Sequence, residues 1–316
     1  MTHPLAKDLA AEQRAFLGRN RDRWDPHLAF CRAFLGEGLL AADPSAPVLI
    51  LGAGSGLEVP WRLAPGSAVG WDADPWSRLR TWLRHRRFPP WVFSDLTGGL
   101  GPLAALAWRT ARQPWSGRIR ATGQATRRLA GLLTSLEPSP EPLRAGIRQH
   151  RPGTILAANV MGQFGVVAQR IVERAFQGRP PWVPDPDLPD PLDEAIQAWT
   201  ARAVRAFMAA LLDSGAGLWL LHDRGIIFGS TPVSLGPLVP DWVAQLRAAG
   251  PLEVSDPLCG VDIVSEIKDR ALARHQRWLW PVAPGQTHVM EAMRIPTSSA
   301  FLSHNPDLVF HMGSYG

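Results

Sequence analysis

VLILGAGSG, residues 48–56, is a run of branched apolar residues that stops at three alternating glycines. Four apolar residues bounded by glycine read as a fully buried parallel strand. Glycines directly after such a strand let the chain turn with positive φ and let a ligand touch bare backbone. The spacing is G-x-G-x-G, from Gly52, Gly54 and Gly56. A dinucleotide-binding turn needs G-x-G-x-x-G, and Leu57 occupies its last position. No G-x-x-x-x-G-K-[ST] occurs, and Ser55 lacks the G-x-S-x-G frame of a nucleophile elbow. Taken alone, the glycines also fit a β-to-α turn that holds no ligand.

The following strand ends narrow the choice. SAVGWDADP, residues 67–75, runs through Val69 and Trp71 to Asp72, where a carboxylate can accept hydrogen bonds from both hydroxyls of a ribose. Asp74 and Pro75 then read as N-cap and first residue of a helix, DPWSRLRTWLRHRR. PWVFSD predicts a third strand ending on Asp95, which could accept from the exocyclic amine of an adenine. Asp72 alone also fits a solvated strand end, and Asp95 alone a loop opening. Three strand ends in register favour a common ligand.

VLILGAGSG, VGWDADP and VFSDL resemble the first three motifs of the class I S-adenosylmethionine-dependent methyltransferases. The resemblance covers residues 48–95 and recurs more weakly in TILAANVMGQF, residues 154–164. It implies a doubly wound, Rossmann-like α/β sheet and S-adenosyl-L-methionine as cofactor. By the same resemblance Gly52, Ala53, Gly54 and Gly56 line the methionine and ribose, Asp72 and Ala73 hold the ribose, and Asp95 and Leu96 meet the adenine. Asn159 then stands at the fourth strand end, facing the transferable methyl. This cofactor has no pyrophosphate, so no helix N-terminus has to be aimed at an anion.

With 46% hydrophobic residues the chain has ample core material. It has no apolar run of about 18 residues and no signal-peptide centre in its first ten, so a soluble, cytoplasmic protein without membrane association is expected. Cys31 and Cys259 lie far apart without a C-x-x-C partner, which predicts buried thiols and no metal site. The net charge of +5 is uneven: residues 75–151 hold 14 Arg against Asp95, Glu137 and Glu141, or 14 − 3 = +11, leaving −6 elsewhere. That asymmetry admits a nucleic-acid groove. Lys7 and Lys268 are the only lysines, so a general preference for Arg on solvated helix faces fits as well.

The expected organisation is an N-terminal helical cap (1–45), a methyltransferase domain (46–300) with a helical insertion at about 97–151, and a C-terminal tail (301–316). The cap's helical pattern is interrupted at Asp25-Pro26. About sixty residues separate the third strand from TILAAN, far more than a simple crossover needs. A helix over 163–177 follows, then the stiff, proline-rich RPPWVPDPDLPDP (179–191) and a helix over 192–212. GLWLLHDRG reads as a fifth strand ending at His222-Asp223. RWLWPV and THVMEAMRI flank Pro284-Gly285 as an antiparallel C-terminal hairpin.

Open α/β sheets bind ligands at the carboxyl ends of their strands. Candidates for catalysis are therefore His222 and Asp223, with His27 from the cap, and for substrate contact Gln163 beside Asn159. A strand-end His-Asp pair is more often a hydrogen-bonded structural pair than a catalytic one, and His27 also fits a helix opening. Val160-Met161 after Asn159 departs from the Pro-Pro-aromatic sequence of base N-methylating enzymes. The expected activity is methyl transfer to O or N of a small molecule or peptide-like natural product. The alternatives are an RNA methyltransferase using the Arg-rich insertion, a non-catalytic S-adenosylmethionine-binding partner protein and, disfavoured by Leu57, a nicotinamide-dependent oxidoreductase. Oligomeric state is left open.

Overall fold

The computed structural model describes residues 18–54, 56–112, 118–176, 191–229, 253–267 and 270–298. The start of the cap, most of the proline-rich segment and the C-terminal tail lie outside the described residues, as does Ser55.

Eight strands form one mixed sheet: β1 (Val48–Leu51), β2 (Val69–Trp71), β3 (Trp91–Val92), β4 (Thr154–Ala158), β5 (Gly217–Phe228), β6 (Glu253–Ser255), β7 (Arg274–Ala283) and β8 (Gln286–Ile295). Their order is β3-β2-β1-β4-β5-β8-β7, with β6 paired to β5. The first five are mutually parallel, and β8 is antiparallel to both β5 and β7. Every residue of β1 and β4 is buried, in keeping with sequences that are apolar apart from Thr154. Burial of each such branched side chain contributes about 1.5–3 kcal/mol.

Eight helices complete the described fold: α1 (Arg21–Leu40), α2 (Ser77–His85), α3 (Leu100–Arg112), α4 (Arg118–Thr134), α5 (Glu141–His150), α6 (Gln163–Ala175), α7 (Pro191–Asp213) and α8 (Ile263–Ile267). The two-residue period of the strands divides the core. Leu49, Leu51, Ile155, Ala157, Leu218 and Leu220 face α3–α8, while Val48, Ile50, Leu156, Ala158, Trp219 and Leu221 face α1. Trp24, Leu28, Cys31, Leu35 and Leu39 form the buried stripe of α1. The long interval before β4 is filled by α3, α4 and α5, whose Leu103, Leu129, Leu133 and Leu143 enter the same buried cluster as the sheet.

Four local expectations change. Helix α1 runs unbroken through Pro26, at the cost of the one intrahelical bond that its missing amide would make to the Asp22 carbonyl. The helix after Asp74 begins at Ser77: Asp74 Oδ1 accepts the Trp76 amide (3.0 Å), capping a turn that leads into it. β3 stops at Val92, so Asp95 stands in the loop beyond the strand. β5 continues past Asp223 to Phe228, because β8 and β6 supply partners along its extension. The C-terminal hairpin forms on Pro284-Gly285 as expected. Among the described residues no helix is long and apolar enough to cross a membrane.

Candidate functional site

The glycine turn sits at the carboxyl end of β1, at the centre of the parallel strands. Gly52, Gly54 and Gly56 have φ of 64°, 51° and 66°. A Cβ on Gly52 would lie 2.7 Å from Val160 Cβ and 3.0 Å from the Ala158 carbonyl, so the tip of β4 excludes any side chain there. At Gly54 a Cβ would meet nothing nearer than the Gly52 carbonyl at 3.7 Å. That glycine presents open backbone, with the buried Ala53 beside it. Residues 57–68 pass through turns without a helix, so the turn leads to no helix N-terminus. The segment is tied down from both sides. Arg32 of α1 donates to the Leu57 carbonyl (2.8 Å), and His85 of α2 donates through Nε2 to the Gly56 carbonyl (2.8 Å). His85 is half-buried, and burial lowers its pKa.

Asp72 joins β2 to this turn. Its Oδ2 accepts the Gly54 amide and its Oδ1 the Asp74 amide, each at 2.7 Å. Burial pushes its pKa up to about 6, against the lowering effect of those two hydrogen bonds. Each oxygen keeps a further lone pair. Ala73 is exposed beside it, and Arg80 pairs with Asp74. Asp95 also binds its own loop. Its Oδ1 accepts from the Thr97 amide (2.9 Å) and hydroxyl (2.8 Å), and its Oδ2 from the Leu100 amide (2.7 Å). It therefore caps α3, with Leu96 buried next to it.

At the tip of β4, Asn159 holds φ 50° and its Oδ1 accepts the Asp223 amide (3.0 Å), linking the ends of β4 and the β5 core. Gln163 opens α6 and is exposed. His222 and Asp223, adjacent in sequence, are separated by the strand's alternation. Asp223 lies on the α1 side with Asn159, and its Oδ1 pairs with His288 Nδ1 on β8 (2.8 Å). Burial opposes its charge, but His288, Asn159 and His27 together hold its pKa below the ordinary value. His222 points to the other face. It is fully buried, with Nε2 2.9 Å from Glu291 Oε2 and Nδ1 without a hydrogen-bond partner among the described residues. His275 and Arg277 of β7 converge on the other oxygen of Glu291. Burial would raise that carboxyl; hydrogen bonds from His222 and His275 and the Arg277 charge outweigh it and hold it well below the ordinary range. The expected pairing of His222 with Asp223 in one site is thus not what the strand geometry gives.

His27 belongs with the Asp223 side. Its ring stacks on Trp280 (centroids 3.6 Å apart, 4° between planes), and its Nε2 lies 3.7 Å from Glu58 Oε1. Cys31 Sγ is 3.4 Å from the same nitrogen, and burial pushes its thiol pKa well up. Cys259 is likewise pushed up, to about 11. Gly52, Gly54, Asp72, Asn159, Asp223 and His27 therefore lie along one edge of the sheet, with His222 outside the set. Sequence reasoning missed His288 and Glu291. The available signal was His288 and Glu291 among the apolar residues of THVMEAMRI, three apart and hence on opposite faces.

No protein-family model matches the chain, and none of the curated proteins compared with it gives a match.

Proposed function

We propose that this chain transfers a methyl group from S-adenosyl-L-methionine to an O or N acceptor on a small molecule or peptide-like natural product. The observation that carries this reading is the glycine turn: open backbone at Gly54, tied to a strand-end carboxylate, and followed by no helix. A pyrophosphate-bearing dinucleotide uses a helix N-terminus at this point, and an adenosyl sulfonium does not need one. The antiparallel β8 between β5 and β7 also departs from the dinucleotide order 3-2-1-4-5-6. It fits the hairpin at the last two strands that the family resemblance implies.

Within this reading Gly52, Ala53, Gly54 and Gly56 receive the cofactor, Asp72 and Ala73 its ribose, and Asp95 and Leu96 its adenine, with Asn159 at the reacting end. Both carboxylates already bind backbone amides, so their remaining lone pairs serve the ligand and their positions are fixed beforehand. When bound, the cofactor supplies an electrophilic methyl on a sulfonium whose sulfur departs with the C–S electron pair. The protein's share is to align donor and acceptor, which provides most of the acceleration.

At least five of the fourteen arginines in residues 75–151 are engaged within the protein itself, which favours a small acceptor over RNA. Arg78, Arg87, Arg80, Arg144 and Arg148 bond to the protein's own carbonyls or to Asp74, Asp213 and Glu141. The test is incubation with methyl-labelled S-adenosylmethionine and a panel of hydroxylated and amino small molecules, peptides and RNA. Label is expected in a small-molecule or peptide product, with S-adenosylhomocysteine released. Label in RNA alone would reverse the acceptor class, and cofactor binding without any transfer would leave a binding protein.

A further inference from the structure

We infer that His288, oriented by Asp223, is a general base for a hydroxyl acceptor, so that the group methylated is an oxygen that arrives protonated. The inference rests on the methyltransferase reading for its second substrate, but the proton chemistry stands on this chain's own groups.

The tautomer follows from the partners. Asp223, its pKa held low, can only accept, so His288 Nδ1 carries the hydrogen that joins them at 2.8 Å. In the neutral form of the ring the lone pair is then on Nε2. That atom lies 2.9 Å from Gln286 Nε2, whose amide is a donor, consistent with an accepting Nε2. The Gln286 amide occupies that one lone pair, so an incoming O–H donates there in place of Gln286, whose side chain swings aside.

Access separates His288 from His222 and His27. Its side chain is 13% exposed, whereas that of His222 is 0% exposed and that of His27 is 2%. Trp280 closes one side of the His288 ring (centroids 5.2 Å apart) and stacks on His27 beyond it. The groups bearing on the base are therefore Asp223 from β5, Gln286 from its own strand and Trp280 from β7. Behind Trp280 stands His27 of α1, with Glu58 and Cys31 next to it. Asp223 is in turn fixed by Asn159, through its amide, and packed against Gly162, where a Cβ would lie 3.0 Å from Asp223 Cβ. The dyad is thus joined to the tip of β4, where Gly52 meets Ala158 and Val160.

In the step assigned to it, Nε2 takes the acceptor's proton, and the oxygen keeps the O–H electron pair with which it takes the methyl group. The imidazolium formed is stabilised by the Asp223 carboxylate and returns its proton to solvent after the product leaves. An amine acceptor that is already neutral has no use for this base.

Ring-substituted phenols of graded acidity test the inference in two ways. Without any methyl donor, 4-nitrophenol bound to the wild-type protein should show increased phenolate absorbance at a pH where the free phenol is mostly protonated. His288→Gln should abolish that increase. In turnover with S-adenosylmethionine, His288→Gln should slow methylation of phenols that are protonated at the working pH by about 10²–10⁴-fold. Phenols already ionised there should slow less than tenfold, and the acidic limb of the kcat/KM–pH profile should vanish. Equal losses for both phenol classes, or no phenolate in the wild type, would overturn the role of His288. Transfer to amines alone would overturn the hydroxyl class. Failure of S-adenosylhomocysteine to bind, with phenol ionisation intact, would instead sink the donor and leave the dyad standing.

Discussion

Glu291→Ala is expected to lower the unfolding free energy by about 3–5 kcal/mol, the largest stability effect of any single change considered for this fold. Glu291 is fully buried between β5 and β7, and its two oxygens gather His222, His275 and Arg277. Removing it strands the guanidinium of Arg277, itself mostly buried, and takes away the partner of His222 Nε2. The register makes the cluster: His222 and Arg277 are both directly opposite Glu291 across the two ladders. Because the folded-state pKa of Glu291 is depressed, its contribution is present above the unfolded carboxyl value of about 4.3 and is lost as pH falls below it. Urea titration at neutral pH and at pH 3 should find the gap between wild type and Glu291→Ala wide in the first and narrower in the second. A loss under about 1 kcal/mol at neutral pH would mean that the cluster is solvated and contributes little.

Asp72→Asn should reduce S-adenosylmethionine affinity by about 1.5–3 kcal/mol, roughly ten- to a hundredfold. An amide has one accepting oxygen, whereas both carboxylate oxygens are already used by Gly54 and Asp74. The variant therefore weakens the ligand contact and loosens the turn that forms the cradle. With the Asp72 pKa raised to about 6, the ionised form proposed to accept ribose hydroxyls is lost as pH falls through that value. Calorimetric affinity should accordingly rise between pH 5 and 7 in the wild type, and stay flat in Asp72→Asn. An unchanged affinity in a folded variant would move the ribose contact elsewhere, with Asp74 the nearest carboxylate.

The central strands were legible because complete burial leaves an unmistakable mark: VLIL and TILAA carry no polar residue except Thr154. The hairpin was legible from Pro284-Gly285 between two long β-rich runs. What escaped was set by partners distant in sequence. The extension of β5 depends on β6 and on the Gln286 half of β8, and nothing local in HDRGIIF reports them. Alternation along a strand places His222 and Asp223 on opposite faces, yet which face joins the candidate site depends on which one α1 covers. Asp95 was read as a strand end because its role as a cap for α3 needs the turn at Thr97. Of the site, the glycines, Asp72, Asn159 and Asp223 could be named from motif and position, whereas His288 required the pairing of β5 with β8.

Isothermal titration of the full chain with S-adenosylhomocysteine, S-adenosylmethionine, NADH and NADPH tests the central claim most directly. Saturable binding of the two S-adenosyl compounds, abolished by filling the open turn with Gly54→Val and without comparable heat from either nicotinamide, is the predicted result. Tight nicotinamide binding with no response to S-adenosyl compounds would contradict it, and would return the glycine turn to the dinucleotide class despite Leu57.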